Sequence, residues 1–342
     1  MTNRTATETH FNPHLAWSAS VLCLLALAVL FSTPEAASSQ TPASAQNGSG
    51  EFTLRVNANL VVLSATVLDH HNALVSGLLK EDFRVYEDNV LQSIQHFSHE
   101  DIPVSVGLVI DNSASMGPKR AEVIGAALSF ARSSNPQDEM FVVNFNEHVT
   151  YGLPAGTPFT DRQDQLQRAL STIQAMGETA LYDAIASALD HLKQGKCDKK
   201  ILIVISDGGD NASKHSLAQV ITMAKTSDAI IYTIGIFDEQ DGDQKPGVLK
   251  RFAKETGGES FFPESSKEIE TICNGIARDI RNQYTLAYVP ANSRQDEGYR
   301  SIEVKARSPK GRHLSVRTRS GYSMPLVLPV SASGSAGDDA HQ

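Results

Sequence analysis

Between Val104 and Arg281, short apolar runs alternate with longer amphipathic ones. The runs Val104–Ile110, Met140–Phe145, Ile201–Ile205 and Ala229–Ile236, with a weaker one at Ser260–Phe262, are apolar almost without interruption. A strand that does not alternate inward and outward residues is one buried on both faces. The segments between them, near Lys119–Arg132, Arg162–Gln174, Leu181–Lys193, Leu217–Ser227, Gly247–Glu255 and Lys267–Arg281, carry helical spacing. The alternation predicts an α/β fold, a mostly parallel sheet flanked by helices on both faces.

On either side the rhythm is that of β-structure. Leu60–Leu68 is rich in β-branched residues, and short segments follow at Phe83–Tyr86 and Ile94–Phe97, separated by polar turns. After Arg281, Gln283–Val289 stops at Pro290, while Ser301–Ala306 and Leu314–Arg319 alternate with period two. Neither flank has enough strands for a stable sheet alone, so the two are expected to pack together as a second, β-sandwich-like domain into which the α/β block is inserted. The expected boundaries are 51–100 and 282–323 for the β-rich segments and 101–281 for the α/β block. A Ser-, Ala- and Gln-rich linker is expected at 38–50 and a disordered tail at 324–342.

Residues 1–37 fix the expected compartment. Leu15–Phe31 is apolar apart from Ser18 and Ser20, and Ala36-Ala37-Ser38 follows. This reads as a secretory signal peptide or, since the run has about the ~17–25 residues of a spanning helix, as an N-terminal membrane anchor. Either way the rest is exported to the periplasm, the envelope or the medium. The cysteines beyond this segment, Cys197 and Cys273, could pair in such a compartment or stay as separate thiols.

Composition narrows the partners. With 39 acidic and 30 basic residues the net charge is −9, which argues against nucleic acid, or an anionic membrane surface, as the main partner. One tryptophan and 6% aromatic residues do not suggest a carbohydrate-stacking surface.

The candidate chemistry lies where the strands end, which is where open parallel sheets bind ligands. Val104–Ile110 runs into Asp111-Asn112-Ser113-Ala114-Ser115, a carboxylate and two hydroxyls on one tight loop. Thr179 stands just before the helix opening near Leu181, and Asp207 follows the strand Ile201–Ile205 in Ser206-Asp207-Gly208. All five side chains offer hard oxygen atoms, the kind that Mg²⁺, Mn²⁺ or Ca²⁺ selects. Each could instead cap a helix, as Ser, Thr and Asp often do.

In this order, D-x-S-x-S, then a threonine, then an aspartate in an S-D-G loop, the residues resemble the metal-ion-dependent adhesion site of the von Willebrand factor type A domain, over about Ile102–Arg281. The resemblance implies a Rossmann-like sheet wrapped by helices, with one divalent cation held by Asp111, Ser113, Ser115, Thr179 and Asp207. It further implies a protein partner that presents an Asp or Glu side chain to that cation. Leu78–Asp88, Tyr284–Pro290 and Arg319–Tyr322 resemble, less specifically, the flanks of an exported, acidobacterial-type group of such proteins.

No catalytic residue and no small-molecule substrate are expected. The sequence has no G-x-x-x-x-G-K-[ST] loop, no G-x-S-x-G elbow and no H-E-x-x-H, and Ser113 stands where an aspartyl-phosphate enzyme would need a second Asp. Glu178 and Asp210 read as surface charge near the site, and His70-His71 as a solvated turn. Asp238–Asp243 reads as an exposed acidic loop, and Lys196, Lys199 and Lys200 as a solvated approach to a strand.

Overall fold

The computed structural model describes residues 60–171, 174–237, 244–291, 298–309 and 311–323. The segments 1–37, 38–50 and 324–342, the start of the first β segment and the loop Asp238–Asp243 lie outside the described residues. By backbone contacts the chain divides into Met1–Arg55 and Val56–Gln342, and every described residue belongs to the second unit. In chain order its elements are β1 (Val61–Leu68), β2 (Phe83–Glu87), β3 (Val90–Gln92), β4 (Ile94–Ser98), β5 (Val104–Asp111), α1 (Arg120–Ser133), β6 (Glu139–Phe145), β7 (Val149–Tyr151), α2 (Gln163–Ser171) and α3 (Leu181–Leu192). There follow β8 (Lys199–Ser206), α4 (Leu217–Thr226), β9 (Ala229–Gly235), α5 (Pro246–Thr256), β10 (Ser260–Phe261), α6 (Ser266–Arg281), β11 (Tyr284–Tyr288), β12 (Tyr299–Arg307), β13 (His313–Arg317) and β14 (Gly321–Ser323).

All eight residues of β5 are buried, as its unbroken apolar run requires. It pairs in parallel with β6 on one side and β8 on the other. Gly107 at its middle leaves room for its neighbours, since a Cβ there would lie 2.5 Å from both the Leu202 side chain and the Phe141 ring. The sheet runs β10-β9-β8-β5-β6-β7, all parallel except the edge strand β7. The chain therefore builds outward from β5 through β6, returns to β8, and builds the other way, so strand order reverses between β5 and β8. Helices bury their apolar spacing against this sheet: Ile269, Cys273, Ile276 and Ile280 form one stripe of α6. Ser216 and Gln219 close a capping box at the start of α4.

The segments before and after this lobe interdigitate, in the order β3-β2-β12-β13-β1-β11-β4, with β14 also on β12. Four steps separate β2 from β11, about 19 Å in a flat sheet. Yet the Phe83 and Tyr284 rings on those strands are 5.0 Å apart. The path thus curls over on itself around a single core of Leu63, Phe83, Val85, Tyr284, Leu286 and Tyr288, and its end strands β3 and β4 are joined by one residue, Ser93. The core is closed by Glu87, which is 3% exposed. Its carboxylate accepts from Tyr288 Oη at 2.8 Å, Tyr322 Oη at 2.9 Å and Arg300 Nη1 at 2.8 Å.

Asp279 of α6 joins the lobes. It accepts from Tyr232 Oη of β9 at 2.7 Å and Thr66 Oγ1 of β1 at 2.8 Å, and pairs with Arg317 of β13. Gln283 Nε2 donates to Thr66 Oγ1 and to Tyr232 Oη. The chain enters and leaves the α/β lobe side by side, where Arg281 Nε lies 3.5 Å from Asp101.

Cys197, before β8, and Cys273, buried in α6, are both free thiols. Burial pushes the Cys273 thiol up to about 12. The solvated lysine cluster is corrected at two positions: half-buried Lys200 turns its Nζ to donate to the Gly195 carbonyl at 2.5 Å, and Lys199 departs further. Lys199 Nζ is drawn in to donate to the Ile280 carbonyl at 2.6 Å, and burial, opposed by nearby Asp279, Asp101 and Asp138, lowers its ammonium to about 8.

Glu87→Ala should cost about 3–5 kcal/mol in urea denaturation, because it strands buried Arg300 without its carboxylate. A lysine held below its unfolded value binds fewer protons in the native state, so its contribution to stability rises with pH between about 8 and its ordinary value of 10.5. The stability of the wild type relative to Lys199→Met should therefore rise across that window, and a pH-independent difference would contradict it.

Candidate functional site

The reversal of strand order leaves a crevice between the carboxyl ends of β5 and β8, and the five candidate residues are distributed around it. Asp111 ends β5 and is 2% exposed. Its Oδ1 accepts the Ser113 N–H at 2.8 Å, and its Oδ2 accepts the Ser206 hydroxyl at 2.6 Å. Burial raises this carboxyl to about 6, the hydrogen bonds from Ser113 and Ser206 oppose the rise, and the nearby charge of Asp207 adds to it. Ser115 Oγ donates to Asp207 Oδ2 at 2.7 Å, and the Ser113 and Ser115 hydroxyls are 3.1 Å apart.

The loop carrying Thr179 is stitched to both neighbours. Met176 N–H donates to the Asn112 carbonyl at 3.0 Å and Ala114 N–H to the Gly177 carbonyl at 3.2 Å. On the other side, Thr179 N–H donates to Asn211 Oδ1 at 2.8 Å, and the Thr179 carbonyl accepts from Asn211 and Ala212 N–H. Gly177 has φ +78°, the left-handed region that favours glycine, and its bare Cα lets the Glu147 carboxylate approach. Ser113, Ser115, Thr179 and Asp207 thus line one cleft of about 320 Å³, with Lys245 and Glu178 also on its walls. Asp111 lies beneath it, tied to it through Ser113 and Ser206.

The sequence pattern passed over the residues that hold this arrangement. Asn112, fully buried, donates to the Ile110 carbonyl and to Asn144 Oδ1, and accepts from Arg120 Nε at 3.0 Å. It occupies a variable position of D-x-S-x-S, and so carried no signal. Ser206 stood beside Asp207 in the sequence, and its hydroxyl, facing Asp111, was the missed contact. Asp210 is not simple surface charge: it accepts from Tyr182 N–H at 3.1 Å and Ser213 Oγ at 2.6 Å, tying down the start of α3. His70 and His71 are exposed in a turn that Asp69 closes through the N–H groups of His71 and Ala73. Among the described residues no group of three or more His, Cys, Asp or Glu side chains gathers as a metal cluster. The five candidates instead combine two carboxylates with three hydroxyls, and Glu178, Asp210 and Lys245 share the cleft's lining.

Residues 106–209, which hold all five candidates, match the family model of the von Willebrand factor type A domain. This stretch of the chain is a von Willebrand factor type A domain. An uncharacterized protein of Borreliella burgdorferi is 23% identical over 217 residues, which cover 60% of this chain and 62% of that relative, so the match spans less than two thirds of its length. Among solved structures, a von Willebrand factor type A protein from Catenulispora acidiphila superposes with TM-score 0.48 at 13% identity, over 76% of this chain and 73% of that one. The corresponding domain of the type V pilus tip protein Mfa5 from Porphyromonas gingivalis gives 0.44 at 15% identity, over 53% and 95%. Within the type A domain, Ser206→Ala removes a buried hydroxyl donated to a carboxylate. It should cost about 1.5–3 kcal/mol in chemical denaturation, with the loss smaller below pH 6, where Asp111 is protonated.

Proposed function

We propose that the chain is an exported, non-enzymatic protein-binding module. In this reading Asp111, Ser113, Ser115, Thr179 and Asp207 hold one divalent cation, Mg²⁺ or else Mn²⁺ or Ca²⁺, and a partner supplies an Asp or Glu side chain to it. The observation that carries the reading is the gathering of four of these residues on one cleft at the point of strand reversal, with Asp111 directly beneath.

The donor set fits such an ion. Every candidate ligand is a hard oxygen, and two carboxylates balance a charge of +2 without excess. Thr179 is 8% exposed and lines the cleft, yet among the described residues its hydroxyl has no hydrogen-bond partner. When bound, the cation offers an electrophilic position to an outside carboxylate oxygen. The chain's own part is to fix the five oxygens on three loops pinned by Asn112, Asn211 and Gly177, and to keep Asp111 away from water.

A second reading, an exported structural protein whose type A domain works without an ion, draws on one specific feature. The Ser206–Asp111 and Ser115–Asp207 hydrogen bonds already satisfy both carboxylates.

Thermal melting of the full chain against Mg²⁺ or Mn²⁺ separates the two. Binding should stabilise by about 2.7 kcal/mol at a hundredfold excess over Kd. Asp111→Ala should remove that shift while leaving the fold intact. A melting temperature indifferent to both ions would leave the structural reading. If the first reading holds, a partner retained from envelope extract should elute with chelator.

A further inference from the structure

The net charge of −9 conceals a local reversal. From Tyr299 to Arg319 the sequence has Arg300, Lys305, Arg307, Lys310, Arg312, Arg317 and Arg319 against a single acid, Glu303. Three of these are spent internally: Arg300 on Glu87, Arg317 on Asp279 and Glu259, and Arg319 on Asp228. Others collect on the outward face of the β lobe. Register places Arg84 of β2 directly opposite Lys305 of β12, and Arg307 of β12 directly opposite His313 of β13. All four are exposed.

Basic side chains directly opposite on a ladder repel when both are charged. Here two such pairs abut. Lys305 reaches Glu303 at 3.1 Å and lies 5.0 Å over the Tyr86 ring. Arg84 donates only to the Glu81 and Phe83 carbonyls, and among the described residues neither it nor Arg307 has a carboxylate partner. The four bases line a concavity of about 400 Å³. Glu81 and Asp82 stand at one rim, Asp82 already accepting the Leu79 N–H at 2.8 Å. Large apolar side chains lie alongside: Leu91, 54% exposed, is directly opposite Tyr86, and Leu79 is 64% exposed.

We propose that this face docks on a bilayer surface rich in anionic phospholipid. Guanidinium groups match phosphate oxygens in pairs, and exposed Leu beside Lys and Arg is the combination that binds a headgroup layer. The acidic remainder of the chain does not cancel the attraction, because exposed charges beyond about 8 Å are screened at physiological ionic strength. The surface is separate from the cation cleft and does not depend on it.

The test is vesicle co-sedimentation of the full chain, with vesicles of pure phosphatidylcholine or of phosphatidylcholine with about one third phosphatidylglycerol. Each Lys or Arg near an anionic surface is worth about fivefold in partition. Arg84→Gln/Lys305→Gln/Arg307→Gln should therefore lose about a hundredfold of the preference for anionic vesicles, as should high salt. Lys214→Gln/Lys254→Gln/Lys267→Gln, an equal charge change elsewhere, should keep it, and chelator should not alter it. Comparing the two vesicle types removes any contribution from the apolar N-terminal segment. Equal partition into both vesicles, or a preference that survives the Arg84/Lys305/Arg307 variant, overturns the proposal. So does retention on polyglutamate or duplex DNA without a vesicle preference, which would assign the face to a different polyanion.

Discussion

The α/β lobe depends on β5 being buried along its whole length. A strand covered on both faces and paired on both edges can offer nothing to solvent except at its ends. Polar chemistry is therefore confined to the loop where β5 stops, and the placement of β6 and β8 on opposite sides of β5 opens a crevice there. Asp111 is the last residue of that strand. It is drawn out of water by the sheet, and the Ser206 hydroxyl and the Ser113 amide compensate it. The cleft above therefore rests on a buried, hydrogen-bonded carboxylate, which holds the Ser113 amide and the Ser206 hydroxyl in place.

The second constraint is the junction between the lobes. Asp279 reaches into both at once, with Tyr232 from the sheet and Thr66 and Arg317 from the curled β lobe as its partners. A carboxylate so enclosed is tolerable only while all its partners are present. The end of α6 is therefore tied to β1 and β13, and further contacts, Arg317 with Glu259, Arg319 with Asp228 and Ser320 with Glu255, fasten the two cores side by side.

Much of this was legible in the residues. The absence of inward–outward alternation in Val104–Ile110 and Ile201–Ile205 identified parallel strands, and the helical segments fall close to where their spacing puts them. Period two in Ser301–Ala306 marked β12 as half-exposed, as it is. What was not legible depended on long-range contact. Lys199 resembles an ordinary surface lysine until α6 supplies a carbonyl to it. Asn112 is silent until Asn144 and Arg120 surround it. The second β domain built from both flanks is present as expected, but its order β3-β2-β12-β13-β1-β11-β4 could not be read from strand pattern. Total charge argued against nucleic acid or an anionic membrane surface as the main partner, but a sum over the chain cannot show that Arg84 lands beside Lys305. Cys197 and Cys273, open to pairing on paper, are two separate thiols.

The ion pair of Asp101 with Arg281 bears on how the chain assembles. Strand β4 must find β11 nearly two hundred residues away, a closure that is entropically costly in an unstructured chain. Once the intervening lobe has formed, its entrance and exit are neighbours, and that long separation collapses to a few residues on each side. The lobe thereby serves as a clasp for its own flanks. The β lobe is expected to form after it, and to be the first part lost when the clasp loosens.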